Sequence, residues 1–332
     1  MSPEKVAVIT GGNSGIGLTL AERLLTAHQN LQLCLACRNQ SRAEAAKRSL
    51  ELSHPGAKIS IVVLDTSNVN SVFQAAAQIK EKYDKIDYLF MNAGIMPVSR
   101  VHWKKVFTSI LSRDCAHALS TGEGLLQHVD ETTSDGLKKV FATNLFGHFI
   151  LVRELEDCLG GDTTTQIICT SSKSASDKYF HVEDMQHVIG TEPYSSSKYG
   201  TDVLSVAINE RLNKKGVYSH TVSPGLVMSG MTYGILSDWF WTLIIPFLLL
   251  MRLIVSTLSI NTYNGSEPLV WLSKQKAESL DPRSKYCCHV TFWGIPYVQP
   301  AKMEISDEDV NKLYNQLEDL YLTFKEKTKQ HK

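Results

Sequence analysis

The chain carries no excess charge. Lysine and arginine number 34 against 34 aspartates and glutamates, a formal net charge of +0 with a pI near 7.2, which excludes the basic footprint of a nucleic-acid surface. It also lacks an uninterrupted apolar run of the ~20 residues that cross a bilayer. The strongest such run, WFWTLIIPFLLLMRLIV at 239–255, is broken by Pro246 and Arg252. Seven cysteines (Cys34, Cys37, Cys115, Cys158, Cys169, Cys287, Cys288) are odd in number and lack metal spacing, so neither a disulfide framework nor a metal site is expected. Cys34 and Cys37 do form a C-x-x-C, but inside the apolar run LQLCLACR, where core thiols are the expectation. No signal-peptide pattern precedes the first apolar run, and together these features point to a reducing compartment. Internal repeats and low-complexity stretches are absent as well.

What is present begins with KVAVIT at 5–10, a run rich in β-branched residues that reads as a buried parallel strand. It leads into Thr10, Gly11, Gly12, Asn13, Ser14, Gly15, Ile16 and Gly17, then into helical spacing over 18–27. Strand, glycine turn and helix are what a dinucleotide requires: glycine lets the backbone approach a pyrophosphate, and the free N–H groups at the helix start favour its charge. A second strand, 31–37, ends at Arg38. An acidic residue there would bind the ribose hydroxyls of NAD, whereas arginine pairs with the extra phosphate of NADP, so NADPH is expected, with Arg42 assisting. The strand 59–64 ends at Asp65, placed to meet an adenine edge. A helix over 69–83 precedes a strand over 86–90, which runs into Asn92, Ala93 and Gly94, small residues suited to a backbone lying against the cofactor. This alternation predicts an α/β fold, a Rossmann-like doubly wound parallel sheet with its site at the strands' C-terminal edge.

The pattern breaks over about 97–134. This insertion mixes Trp103, Phe107, Ile110 and Leu111 with Lys104, Lys105 and Arg113; a lid, a membrane-contacting helix and a simple decoration all fit it. Helical periodicity returns over 136–159 and contains Asn144, whose buried amide needs partners; it either fastens the backbone or also holds water on a proton path to Lys198. The strand 166–170 ends at Ser171 and Ser172, of which alternation favours Ser172 for binding a carbonyl oxygen. In the loop that follows, His181 and His187 read as solvated. Tyr194 and Lys198 then stand four residues apart at the start of a helix, so both occupy one face, and the ammonium favours the phenolate of a tyrosine that exchanges a proton with a carbonyl or alcohol oxygen. A strand over 217–222 ends at Pro224 and Gly225.

Together these motifs, from Lys5 to about Leu272, resemble the short-chain dehydrogenase/reductase family. Within it, LCLACRN, NAGIMP, EGLL, NLFGHFILVRELE, EPYSSSKY, TYGIL and YNG are similar to reductases that act on the 3-ketone of sterol intermediates. The resemblance implies NADPH, a sterol or steroid ketone substrate with 17-keto steroids as a second class, and catalysis by Tyr194, Lys198, Ser172 and Asn144. It also implies the endoplasmic reticulum membrane with the catalytic domain facing the cytosol, membrane lipid as a partner, and the other enzymes of sterol C4-demethylation as further partners. The gap from Ser172 to Tyr194 is longer than the family pattern, which makes His181 a competing substrate-facing residue. A retinol or other lipid-alcohol dehydrogenase and a non-catalytic NADP-binding scaffold are the alternative readings.

The expected organisation is a nucleotide-binding domain over 1–275, with an apolar membrane-contacting segment at about 239–258, and a C-terminal extension over 276–332. A monotopic segment dipping into one leaflet is favoured over a full span continued through Leu258 and over a soluble substrate lid. Val310, Leu313, Leu317, Leu320 and Phe324 fall at helical spacing in the extension, with Ser306 and Asp309 to cap it. A docked amphipathic helix is expected there, against a membrane-surface or partner helix.

Overall fold

The computed structural model describes residues 4–102, 104, 108, 121, 123–230, 238–253 and 255–330. The KVAVIT run forms β1 (Lys5–Thr10) and pairs in parallel with β2 (Leu31–Cys37), Val6 opposite Gln32 and Ile9 opposite Leu35. Successive side chains of a strand point to opposite faces, and β1 divides accordingly. Val6 and Val8 enter one apolar core, whereas Ala7 and Ile9 enter the other.

Around this pair lie β3 (Lys58–Val63), β4 (Tyr88–Met91), β7 (Thr165–Thr170), β8 (Val217–Ser223), β9 (Ser284–Val290) and β10 (Pro296–Lys302). They form one sheet in the order β10-β9-β8-β7-β4-β1-β2-β3, parallel except for the last-formed hairpin, β9 with β10. The insertion contributes a separate antiparallel ribbon, β5 (Val98–Val101) with β6 (Leu126–His128). One face of the large sheet is covered by α1 (Gly15–Ala27), α2 (Gln40–Ser53) and α7 (Glu267–Ser273). The other carries α3 (Val69–Lys82), α4 (Gly147–Leu155), α5 (Pro193–Leu212) and α8 (Asp307–Gln330). Fully buried side chains such as Phe149 and Leu89 each contribute roughly 1.5–3 kcal/mol on leaving water.

Three differences from expectation have physical causes. The helix expected over 136–159 is a short turn, Lys139–Phe141, then a π-helical segment, Ala142–Phe146, then α4, then a 3₁₀ turn, Glu156–Cys158. Gly147, where α4 begins, lies so close to Thr66 that a Cβ would sit 2.1 Å from its carbonyl oxygen. The C-terminal segment supplies two sheet strands as well as the expected helix, which docks through Val310, Leu313 and Leu317 and takes its cap from Ser306, whose hydroxyl accepts the Asp309 N–H at 3.0 Å. And α6 (Asp238–Met251) does not run on to Leu258: Val255 and Leu258 turn inward and pack with Met228, Leu248 and Ile260. At 14 residues it is about 21 Å long, and no described helix is long and apolar enough to cross a membrane. Trp103, Lys105, Phe107, Ile110, Leu111, Arg113 and Cys115, and the TYGIL stretch, lie outside the described residues. Cys34 and Cys37 are free and buried, their thiols pushed up by burial to about 11 and about 12.

Candidate active site

At the end of β1 the backbone takes a form only glycine accommodates without strain. Gly11 has φ +70°, and a Cβ on Gly17 would lie 2.3 Å from the Gly11 carbonyl oxygen and 2.7 Å from Asn92 Nδ2. Ser14 flanks α1 without capping it through its side chain, and the first turn holds no acidic group, so the N–H groups and positive dipole end are left for an anion. Thr10 ties this turn to the next strand. Its Oγ1 accepts the N–H of Asn92 (2.9 Å) and Ala93 (3.0 Å), and its carbonyl accepts from Asn92 Nδ2. Gly94 must also be small, since a Cβ there would lie 3.2 Å from Asn144 Oδ1 and 3.5 Å from Lys198 Nζ. Asn13 and Ile16 line the partly buried wall of the turn, and Arg38 and Arg42 are exposed beyond β2. Asp65 Oδ1 accepts from both the N–H and the hydroxyl of Ser67. Pro224 and Gly225 close the opposite rim, where a Gly225 Cβ would meet the Thr257 carbonyl oxygen at 2.4 Å and Ser259 donates to the Pro224 carbonyl at 2.7 Å. The geometry of the turn fits a dinucleotide pyrophosphate.

Across the same sheet edge, Pro193 starts α5 and sets Tyr194, Lys198 and Asp202 along one face at successive turns. Lys198 is buried, donates to the Thr170 carbonyl at 2.7 Å and lies 5.7 Å from the centre of the Tyr194 ring. Burial pulls its ammonium down to about 8, with the Asp202 carboxylate opposing. Burial raises the Tyr194 phenol, and the Ser172 hydrogen bond opposes that. The Lys198 ammonium nonetheless lies on the same helical face, one turn from the phenol, as the spacing placed it. Ser171 and Ser172 diverge at the end of β7. Ser171 is buried and its hydroxyl donates to the Lys198 carbonyl at 3.2 Å, whereas Ser172 faces Tyr194 and shares a hydrogen bond with Ser174 Oγ at 2.9 Å.

Asn144 stands in the π-helical segment with its amide fully engaged. Oδ1 accepts the Ile95 N–H at 2.8 Å, while Nδ2 donates to the Ile95 carbonyl and to Ser197 Oγ, each at 3.0 Å. Its own carbonyl is approached by His148 Nδ1 at 3.3 Å. Thr10 Oγ1, already accepting two N–H groups, lies 3.0 Å from His148 Nε2 and donates to the Phe90 carbonyl at 3.3 Å. Burial holds His148 neutral, down to about 4. The sequence reading passed over His148, although its position four residues after Asn144 on a helix was a usable signal.

The insertion ribbon also reaches the site. His128 stacks on Tyr194 (6.5 Å between ring centres) and pairs with Glu192 at 3.3 Å. A small cleft opens over the tyrosine, lined by Met96, Leu126, His128, Ser174, Tyr179 and Tyr194. His181 is exposed and outside that lining, and His187, expected to be solvated, is buried with Nε2 accepting the Glu192 N–H at 3.2 Å. The long loop places Tyr179 over the cavity where His181 was expected.

Comparison with known proteins agrees with this arrangement. The family model of the short chain dehydrogenases matches residues 5–238. The chain is 49% identical over 317 residues to "3-keto-steroid reductase/17-beta-hydroxysteroid dehydrogenase 7" of Rattus norvegicus, covering 95% of each protein. It is 48% identical to the Homo sapiens protein of that name, covering 95% of this chain and 93% of the relative. Among solved structures it is similar to L-sorbose reductase from Gluconobacter frateurii complexed with NADPH and L-sorbose, at 18% identity and a TM-score of 0.59, covering 86% of this chain and 94% of that one.

Proposed function

The chain belongs to the short chain dehydrogenase family, and from that premise we propose that it reduces the 3-ketone of a sterol intermediate to the 3β-hydroxyl, using NADPH. One observation carries the substrate class: the identity to mammalian 3-keto-steroid reductases extends over 95% of both chains in the rat comparison, and so spans the insertion ribbon and the C-terminal strands as well as the shared nucleotide fold. The ribbon borders the cavity through Leu126 and His128. The second half of the relatives' name supports 17-keto steroids as a further substrate class.

The cofactor supplies the hydride. Tyr194 gives its proton to the oxygen of the forming alkoxide, and Ser172 donates a hydrogen bond to the same oxygen. Lys198 holds the ribose and supplies positive charge beside the phenol. Asn144 fixes the backbone at Ile95 and would support the water-borne proton path to Lys198. Thr10, Gly11, Gly12, Asn13, Ser14, Gly15, Ile16 and Gly17 would cradle the pyrophosphate, Arg38 would pair with the 2′-phosphate, Asp65 would meet the adenine, and Asn92, Ala93, Gly94, Pro224 and Gly225 would border the nicotinamide half.

The membrane of the endoplasmic reticulum is the proposed location, with contact through one leaflet. Leu249, Leu250 and Leu253, at the end of the apolar stretch, are 45%, 62% and 57% exposed, and lipid contact would cover them while giving an apolar sterol a water-free approach. The other enzymes of sterol C4-demethylation are the proposed neighbours there.

The test is NADPH oxidation by the detergent-solubilised protein with a 4-methyl 3-keto sterol, a 17-keto steroid and retinal in parallel. Preference for the sterol is the expected result. Turnover of retinal alone would overturn the substrate, and tight NADPH binding without turnover of any of the three would overturn catalysis in favour of a scaffold.

A further inference from the structure

We propose that Lys285, in the C-terminal segment beyond the family match, is a positioning residue of the catalytic centre: it ties the Ser172 backbone to α5 and neutralises Asp202, so that the charge of Lys198 stays directed at Tyr194. The inference rests on the roles given above to Tyr194 and Lys198. Lys285 is the second residue of β9, opposite Thr221 of β8. Its ammonium reaches across the sheet edge to two targets: Asp202 Oδ2 at 2.6 Å and the Ser172 carbonyl at 3.1 Å. The side chains are only 12% and 3% exposed, and Asp202 Oδ1 has no hydrogen-bond partner among the described residues.

Asp202 lies one helical turn beyond Lys198, as Tyr194 lies one turn before it. Lys198 therefore stands between a phenol that uses its charge and a carboxylate that competes for it. The titratable groups around Lys198 are Tyr194 and Asp202 on α5, Cys169 on β7, His148 on α4 and Lys285 on β9, with Tyr199 and Cys287 also near Asp202. Cys169 and Tyr199 are pushed up to about 12, the Cys287 thiol is raised by burial and His148 is held down to about 4. Burial raises the Asp202 carboxyl and the Lys285 contact opposes that, so the 2.6 Å pair these two form is what faces Lys198. A buried pair that served stability alone would not need to hold the backbone of the residue that hydrogen-bonds Tyr194.

The experiment is the pH profile of kcat for reduction in Lys285→Met, Lys285→Arg, Asp202→Asn and the double variant Lys285→Met/Asp202→Asn, with the NADPH KM of each. Loss of the cation leaves Asp202 uncompensated and raises Lys198 and Tyr194. In Lys285→Met the alkaline limb should therefore move up by about one pH unit, and kcat should fall roughly 10- to 100-fold as Ser172 loses its anchor. Asp202→Asn should move the limb down, the double variant should return it toward the parent value, and Lys285→Arg should retain both limb and rate. NADPH KM should stay within about twofold throughout, because the pair lies away from the glycine turn. An unmoved limb in both single variants, or a limb that fails to return in the double variant, would overturn the proposal. Should Lys285→Met fail to fold, Lys285→Arg and the charge-free double variant carry the same test. Full turnover in Tyr194→Phe would instead overturn the reading on which this inference rests.

Discussion

The two rims of the sheet edge solve their problems with different materials. Around β1 and α1 the work is done by backbone: a positive φ at Gly11, a contact at Gly17 that leaves no room for a Cβ, and N–H groups at a helix start free of side-chain capping. Around β7 and α5 it is done by buried polar side chains drawn from distant segments: Ser172, Tyr194 and Lys198, Asn144 and His148 from the π-helical region, His128 from the insertion, and Lys285 from β9. A site made of backbone is contiguous in sequence. One made of side chains is contiguous only in space, and each member needs its charge or hydrogen bonds met by another.

If that division holds, substitutions on the two rims should separate binding from turnover. The largest effect is expected from Tyr194→Phe, which keeps the ring against His128 and removes the proton. Steady-state kinetics should show kcat reduced by about 10³-fold, within the range of general acid catalysis, while NADPH titration gives an almost unchanged Kd. A matching loss in both would break the comparison. Gly17→Ala comes next. The added methyl meets the Gly11 carbonyl, so NADPH affinity measured by fluorescence should fall more than about tenfold, with a lower Tm because the turn itself must shift. Arg38→Asp should be milder, reducing the NADPH-over-NADH preference by about tenfold without a change in Tm. An unchanged preference would assign the phosphate to another residue.

The smallest effect is expected from pH alone. Lys198 is drawn down to about 8, so its positive charge is present below that value and is lost as pH rises through it. The kcat for reduction should accordingly be level near neutrality and fall to about half near pH 8. A profile that keeps rising to pH 9 would show that Lys198 holds its proton more tightly than its burial indicates.

The same division explains what the sequence made legible. The glycine turn, the individual strands β1 to β4 and the Tyr194–Lys198 face depend on neighbours within a few residues, and the structure has them where the spacing placed them. Strands β9 and β10 were not read, because their runs, SKYCCHV and PYVQPAK, look like the ends of a tail until β8 is present to pair with Ser284–Val290. The π-helical segment reads as plain helix, since nothing local distinguishes it, and the close approach of Gly147 to Thr66 at its end is tertiary. Lys285 and His128 gave no signal at all: one lies 83 residues beyond Asp202 and the other 66 before Tyr194. The upward pull of burial on the Tyr194 phenol is likewise tertiary, which spacing cannot report.

The most direct measurement of the central claim uses NADPH deuterated at the transferable position of the nicotinamide, with a 4-methyl 3-keto sterol and the intact protein. Mass spectrometry and NMR of the product should show one deuterium at C3 of a 3β-hydroxysterol, formed about 10³-fold more slowly with Tyr194→Phe. Deuterium at another carbon, or none in the sterol while NADPH is consumed, would contradict the account.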